Sequence, residues 1–173
     1  MSKTRILAID PGTREMGIAV LENGNLLYHG VETLRKLSSP QDRLRQGRAV
    51  VARLIGDFWP RILVVEKTFI AKNRNTALLN VLVDEIGVLG RRKGITVASF
   101  APNTVKKIVS GNGWATKAEV ARAVAAKYPK LKSWLPPNRK WKQRQQHNMF
   151  DAVALAIAYR NRNRRAGSAS EHS

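Results

Sequence analysis

Residues 5–31 read RILAIDPGTREMGIAVLENGNLLYHGV, and the fold turns on how this stretch is divided. A short apolar run ends at Asp10, and Pro11-Gly12 supplies a turn that sends the chain back as a second strand over 17–21. Asn23-Gly24 suits a tight hairpin turn with positive φ, which makes 25–31 a third antiparallel strand. The sheet is therefore expected to open as three antiparallel strands, with an acid at the end of the first.

Downstream the period of the pattern changes. Ser39, Pro40 at the first helical position and Asp42 near the positive end of the helix dipole mark a helix start. Leu44, Val51, Leu54, Ile55 and Phe58 form its apolar stripe up to Pro60. Within 61–66 (RILVVE) an apolar run ends at Glu66, the pattern of a strand buried on both faces, as parallel strands are. Helical spacing returns over 76–92 through Leu78, Leu79, Leu82, Ile86 and Leu89; Gly94 closes that helix, and 95–100 forms a fifth strand. A short helix is expected over 102–109, and the capping-box pattern Thr116-Lys-Ala-Glu119 opens another that runs to Tyr128. Residues 129–146 are rich in Pro, Lys and Trp without a period and read as a loop, and 148–160 reads as the last helix. The order implies an α/β domain over residues 1–160, a mixed five-stranded sheet flanked by helices, with a polar tail over 161–173 that is expected to be disordered.

The 173 residues carry 31 Lys and Arg against 12 Asp and Glu, a formal charge of +19. Such an excess calls for an anionic partner; nucleic acid is the first expectation, and ribosomal or anionic-membrane partners fit the charge equally well. No run of about 18 apolar residues exists, and the opening strand meets Asp10 too soon for a signal peptide, so a soluble, unexported protein is expected. Cysteine is absent, which excludes disulfides, thiolate zinc sites and Cys nucleophiles together.

Between residues 130 and 165 ten basic residues accompany one acid, Asp151. Nine of the twelve acids, Glu15 among them, fall in turns, first helical turns or polar faces, where solvation or capping accounts for them. Asp10 and Glu66 instead close apolar strands, the ends at which α/β sheets place ligand sites. Asp151 opens an Ala-rich apolar segment. Such acids are neutralised by basic side chains or by a cation, since unpaired buried charge is costly. Converging on one sheet edge, the three would form an oxygen-ligand site for Mg²⁺ or Mn²⁺. Two such ions about 3.5–4 Å apart suit phosphodiester hydrolysis, one activating water and the other stabilising the leaving oxygen.

Ile9-Asp-Pro-Gly-Thr13 with Gly17, Val65-Glu-Lys-Thr-Phe-Ile-Ala-Lys-Asn73, the Val105-Lys106 to Gly111-Asn-Gly113 to Lys117 segment, and Asp151-Ala-Val-Ala-Leu-Ala-Ile157 together resemble the RuvC Holliday-junction resolvases. The resemblance runs in order from Arg5 to about Tyr159. It implies an RNase H-like fold whose first and fourth strands lie side by side, bringing Asp10 and Glu66 together. It also implies a homodimer that nicks two opposing strands of a four-way junction with Mg²⁺ or Mn²⁺, working in the cytoplasm with the nucleoid, or in an organelle or on phage DNA, with a branch-migration motor as a further partner. By the same resemblance Asp10, Glu66 and Asp151 are the catalytic, metal-binding acids and Lys117 a catalytic basic residue near the scissile phosphate. The family's fourth ligand is an Asp or His three residues before the last acid. Here Asn148 holds that place with His147 one step earlier, and i−3 and i−4 both neighbour position i on a helix.

The DNA-facing positions follow. Phe69 matches an aromatic residue that wedges against bases at the junction's centre. Lys72 and Arg74 flank that segment, Lys106 and Lys117 match basic residues near the scissile phosphate, and Arg139, Lys140 and Lys142 sit in a basic loop interleaved with Trp134 and Trp141 that suits backbone contact and base stacking. Three rivals stand beside this reading. An actin-like ATPase shares the first phosphate-loop pattern but requires a second domain. An RNase H-like nuclease could act on other branched DNA or on RNA–DNA hybrids, and a resolvase relative could grip junctions without cutting them.

Overall fold

Strands β1 (Arg5–Asp10), β2 (Glu15–Glu22) and β3 (Asn25–Thr33) form the antiparallel meander, with Asn23 and Gly24 both at positive φ in the tight turn between β2 and β3. The structure, a computed structural model, describes residues 3–35, 39–67, 74–135 and 144–170. The chain continues through α1 (Pro40–Phe58), β4 (Ile62–Glu66), α2 (Arg74–Arg92), β5 (Thr96–Phe100), α3 (Pro102–Ser110), α4 (Lys117–Lys127) and α5 (Arg144–Ser170). The five strands lie in the order β3-β2-β1-β4-β5, with β4 parallel to both β1 and β5.

Strand alternation divides the side chains between two layers. Leu7, Ile9, Ile18, Val20, Leu63 and Val65 point to the face covered by α1 and α2, where Val51, Leu54, Leu82 and Ile86 meet them. Ile6, Ala8, Ala19, Leu21 and Val64 point to the opposite face, under α3, α4 and α5. The register Asp10↔Gly17, Ala8↔Ala19 lines this second face with small residues, and α5 presents Ala152, Ala154, Ala156 and Ala158, all fully buried. Small side chains on both surfaces let the helix backbone come close to the sheet. The approach is tightest at Gly17, where an added Cβ would fall 1.8 Å from the backbone oxygen of Asn148.

The helix ends match their sequence signals. Ser39 accepts the Asp42 N–H and caps α1, Trp59 closes it in the left-handed region, and Thr116 with Glu119 completes the capping box of α4. Two expectations change. The aperiodic stretch after Tyr128 begins with a 3₁₀ turn, Pro129–Trp134. Long-range anchors hold it: the Tyr128 hydroxyl donates to the Gly24 oxygen at 2.8 Å, Lys130 donates to the Leu26 oxygen, and Trp134 meets His29 edge-on with ring centroids 5.8 Å apart. α5 also begins four residues earlier than its apolar pattern and runs past residue 160 to Ser170, so 161–170 is helix rather than disordered chain. Arg162 in that extension stacks 4.2 Å over the Phe100 ring, a cation–π contact that ties it to β5.

Candidate active site

Because β1 and β4 pair in parallel in the register Ile9↔Val65, their last residues, Asp10 and Glu66, finish side by side at one edge of the sheet. Both fall on the α5 face, two residues on from Ala8 and Val64. The two carboxyl groups are hydrogen-bonded to each other. Two carboxyl groups can share a hydrogen bond only if one of them holds a proton, so the pair retains a proton between them. Burial is the main cause that pushes Asp10 well above the usual carboxylate range, followed by the charges of Glu66 and Asp151. Burial, then the Asp151 charge, lifts Glu66 from an ordinary 4.5 to about 6.

Asp151 reaches the pair from α5, eight residues into that helix. Lys117, the first residue of α4, meets it with Nζ 2.9 Å from Oδ2. Burial alone would lower the Lys117 pKa, but Asp151, Asp10 and Glu66 together carry it upward. Lys106 of α3 lies close enough to lower the Glu66 pKa. Three acids and two lysines from five different elements thus share one electrostatic neighbourhood.

Asn148 stands one helical turn before Asp151. Its amide Nδ2 lies 3.3 Å from Glu15 Oε2, at the start of β2. Glu15 was expected to be merely solvated; counting back in twos from Gly17 puts it on the α5 face, a signal lost when β2 is started two residues late. His147 lies half-buried on the same turn of α5. Phe69, Lys72, Arg139, Lys140 and Lys142 lie outside the described residues, and Arg74 opens α2 with its side chain outside them.

Among the described residues no three His, Asp or Glu side chains are arranged to hold an ion directly, since Asp10 and Glu66 are closed on each other and Lys117 sits on Asp151. The charge chemistry nevertheless fits a divalent cation. Asp10 and Glu66 are raised by burial and by their acidic neighbours, and what offsets this among the described residues is a retained proton and the Lys117 and Lys106 ammonium groups. A cation with hard oxygen preference would replace both.

The same shifts predict a pH effect on stability. Asp10 and Glu66 bind protons in the folded chain at pH values where the unfolded chain has released them. Their contribution is therefore fully present below the ordinary carboxylate range and is lost as pH rises through about 6 for Glu66 and on toward the higher value of Asp10. For Glu66 the change is on the order of 2 kcal/mol. Melting temperatures of the wild type and of Asp10→Asn/Glu66→Gln, measured from pH 4.5 to 8 without metal, should show the wild type losing ground to the variant as pH rises. A constant difference would contradict the shifts.

The chain matches the family model for crossover junction endodeoxyribonuclease RuvC over residues 6–159. It is 35% identical over 163 residues to the crossover junction endodeoxyribonuclease RuvC of Bradyrhizobium sp. (strain ORS 278), an alignment that covers 90% of this chain and 85% of that protein. In fold it is similar to Thermus thermophilus RuvC, with a TM-score of 0.73 at 23% identity over 94% of this chain and 97% of that one. A TM-score of 0.71 at 21% identity relates it to T. thermophilus RuvC in complex with Holliday junction substrate, over 93% and 95% of the two chains. With the RNase H-like sheet, the adjoining Asp10 and Glu66, and a match from the first strand to the last helix, this chain belongs to the RuvC family of crossover junction endodeoxyribonucleases.

Proposed function

We propose that this protein resolves four-way DNA junctions by paired nicks, as a homodimer and with Mg²⁺ or Mn²⁺ at the sheet edge formed by β1, β4 and α5. The observation that carries the reading is the meeting of Asp10, Glu66 and Asp151, from three distant parts of the chain, in a protein of charge +19 that belongs to this family. When bound, divalent cations supply an activated water and stabilise the leaving oxygen of the phosphodiester. Asp10, Glu66 and Asp151 would hold them, with Asn148 or His147 completing the set.

The lysines have a separate task. Lys117, at the first turn of α4 where free N–H groups favour an anion, and Lys106 offer positive charge to the phosphate at the cut. With a cation held at Asp151, the Lys117 ammonium, now 2.9 Å from that carboxylate, would be free to face the DNA. Phe69, Lys72, Arg74, Arg139, Lys140 and Lys142 are assigned to the junction's arms and centre by the family resemblance. A cytoplasmic, nucleoid-associated setting and a branch-migration motor as partner belong to the same reading.

A second reading, a relative that grips junctions without cutting, is favoured by one observation: Asn148 stands where the family carries a charged or imidazole ligand. Incubating the purified protein with four-way, three-way, nicked and linear DNA, with and without Mg²⁺ or Mn²⁺, separates the two. Metal-dependent, symmetrical nicks confined to the four-way junction are expected, and binding without any cut would establish the second reading. Binding should also weaken steeply with salt, with a log–log slope of about 0.9 per phosphate neutralised on duplex DNA. A flat response would refute the assignment to nucleic acid.

A further inference from the structure

Asn148 and Glu15 meet where α5 is pressed against β2. The backbone of Asn148 lies on Gly17, Gly17 is the cross-strand partner of Asp10, and Glu15 precedes Gly17 by two residues on the same face. The amide of Asn148 faces the Glu15 carboxylate at 3.3 Å. An ionised carboxylate can only accept hydrogen bonds, so the amide must turn its NH₂ toward Glu15 and carry its carbonyl oxygen on the other side. The orientation of this side chain is thereby set by chemistry.

We propose that Glu15 is a positioning residue of the metal site. It locks the Asn148 amide so that the neutral carbonyl oxygen is the atom offered to a divalent cation held by Asp10 and Asp151. Carbonyl oxygen is an accepted ligand of hard cations, but an unrestrained amide presents nitrogen as readily as oxygen, and nitrogen of an amide does not coordinate them. Partners that orient a ligand from behind are worth about 10–100-fold in metal affinity. The inference rests on the metal-dependent reading of the acids and adds to it the residue that makes an Asn serviceable there. It also revises an expectation. The family resemblance alone would have Asn148→Asp keep or raise activity, since Asp is one of the family's ligands there, yet Asp at this position would bring a second carboxylate against Glu15.

Mn²⁺ affinity of the full chain, measured by titration calorimetry in the absence of DNA, tests the proposal apart from catalysis, with melting curves to verify folding. Glu15→Ala should weaken Mn²⁺ binding about tenfold, and it should have no further effect in an Asn148→Ala background. Glu15→Gln should stay within about threefold of the wild type, because its carbonyl oxygen can accept the same N–H. Equal losses from Glu15→Ala and Glu15→Gln would mean that the charge itself matters, and would overturn the positioning role. So would unaltered affinity in Glu15→Ala, or an undiminished loss when Asn148 is already Ala. Asp10→Asn separates the levels of the argument: if it too binds Mn²⁺ normally, the metal reading of the site fails, whereas loss there with no effect at Glu15 rejects this inference alone.

Discussion

Asp10→Asn should lower metal-dependent cleavage of a four-way junction by about a thousandfold or more while leaving the junction bound and the protein folded. A cation acting on a phosphoryl oxygen is worth several kcal/mol of transition-state stabilisation, and each 1.36 kcal/mol is tenfold in rate. The substitution removes one of the negative charges that would hold that cation, yet it disturbs the apo site little. Asn has the shape of Asp, and its amide can donate to Glu66 in place of the proton that the Asp10–Glu66 pair shares. It also ends the burial penalty that raises the Asp10 pKa. The melting temperature at pH 8 should therefore hold or rise, opposite to what a structural ion pair would show, because breaking a buried pair is strongly destabilising. Single-turnover rates, gel shifts in EDTA and melting curves read the three effects independently. A variant that cuts within tenfold of the wild type would remove Asp10 from the reaction.

The acids of this site differ in how plainly the sequence announces them, and the differences have physical causes. Asp10 and Glu66 each end a run of strand-forming apolar residues, where a charge has no reason to be unless the strand end is a site. Asp151 is visible for a related reason, as the one acid in a long basic and Ala-rich stretch. That Asp10 and Glu66 adjoin could not be read from spacing, since strand order is a tertiary fact; the family resemblance supplied it, and the pairing of Ile9 with Val65 bears it out. Lys117 was likewise placed by resemblance, and its ammonium lies 2.9 Å from Asp151. Glu15 was missed because β2 was begun at Gly17, and a strand shortened by two residues loses one side chain from each face. The length of α5 was missed for another reason. Residues 161–170 have no apolar stripe to mark a helix, and the Arg162–Phe100 contact that secures them depends on β5 lying beneath. Similarly, the Pro129–Trp134 turn is held by Gly24, Leu26 and His29, about a hundred residues away in the chain.

Gly17→Ala is expected to damage the site more than any substitution of similar size elsewhere in the fold. Alanine is acceptable to a β-strand, so the backbone of β2 supplies no objection; the objection comes from α5. The new methyl group would lie 1.8 Å from the Asn148 carbonyl oxygen and 2.4 Å from its carbonyl carbon, and both belong to helix backbone that cannot rotate away. α5 must therefore back off by more than about an ångström at the turn that carries Asn148 and leads to Asp151, while Asp10 stays on β1. Overpacking of this kind costs about 1–3 kcal/mol, and a misplacement of about 1 Å in a catalytic constellation costs on the order of a hundredfold in rate. The variant should fold with a lowered melting temperature, bind junctions through lysines and arginines that have not moved, and cut them poorly at every metal concentration. Gly56→Ala is the matched control. Gly56 lies exposed in α1 with nothing within 4 Å of an added Cβ, so alanine there should stabilise the helix by about 0.5–1 kcal/mol and leave cutting untouched. Wild-type cleavage by Gly17→Ala would mean that α5 does not rest on β2 at this point, and the placement of Asn148 beside Gly17 and Glu15 would fall with it.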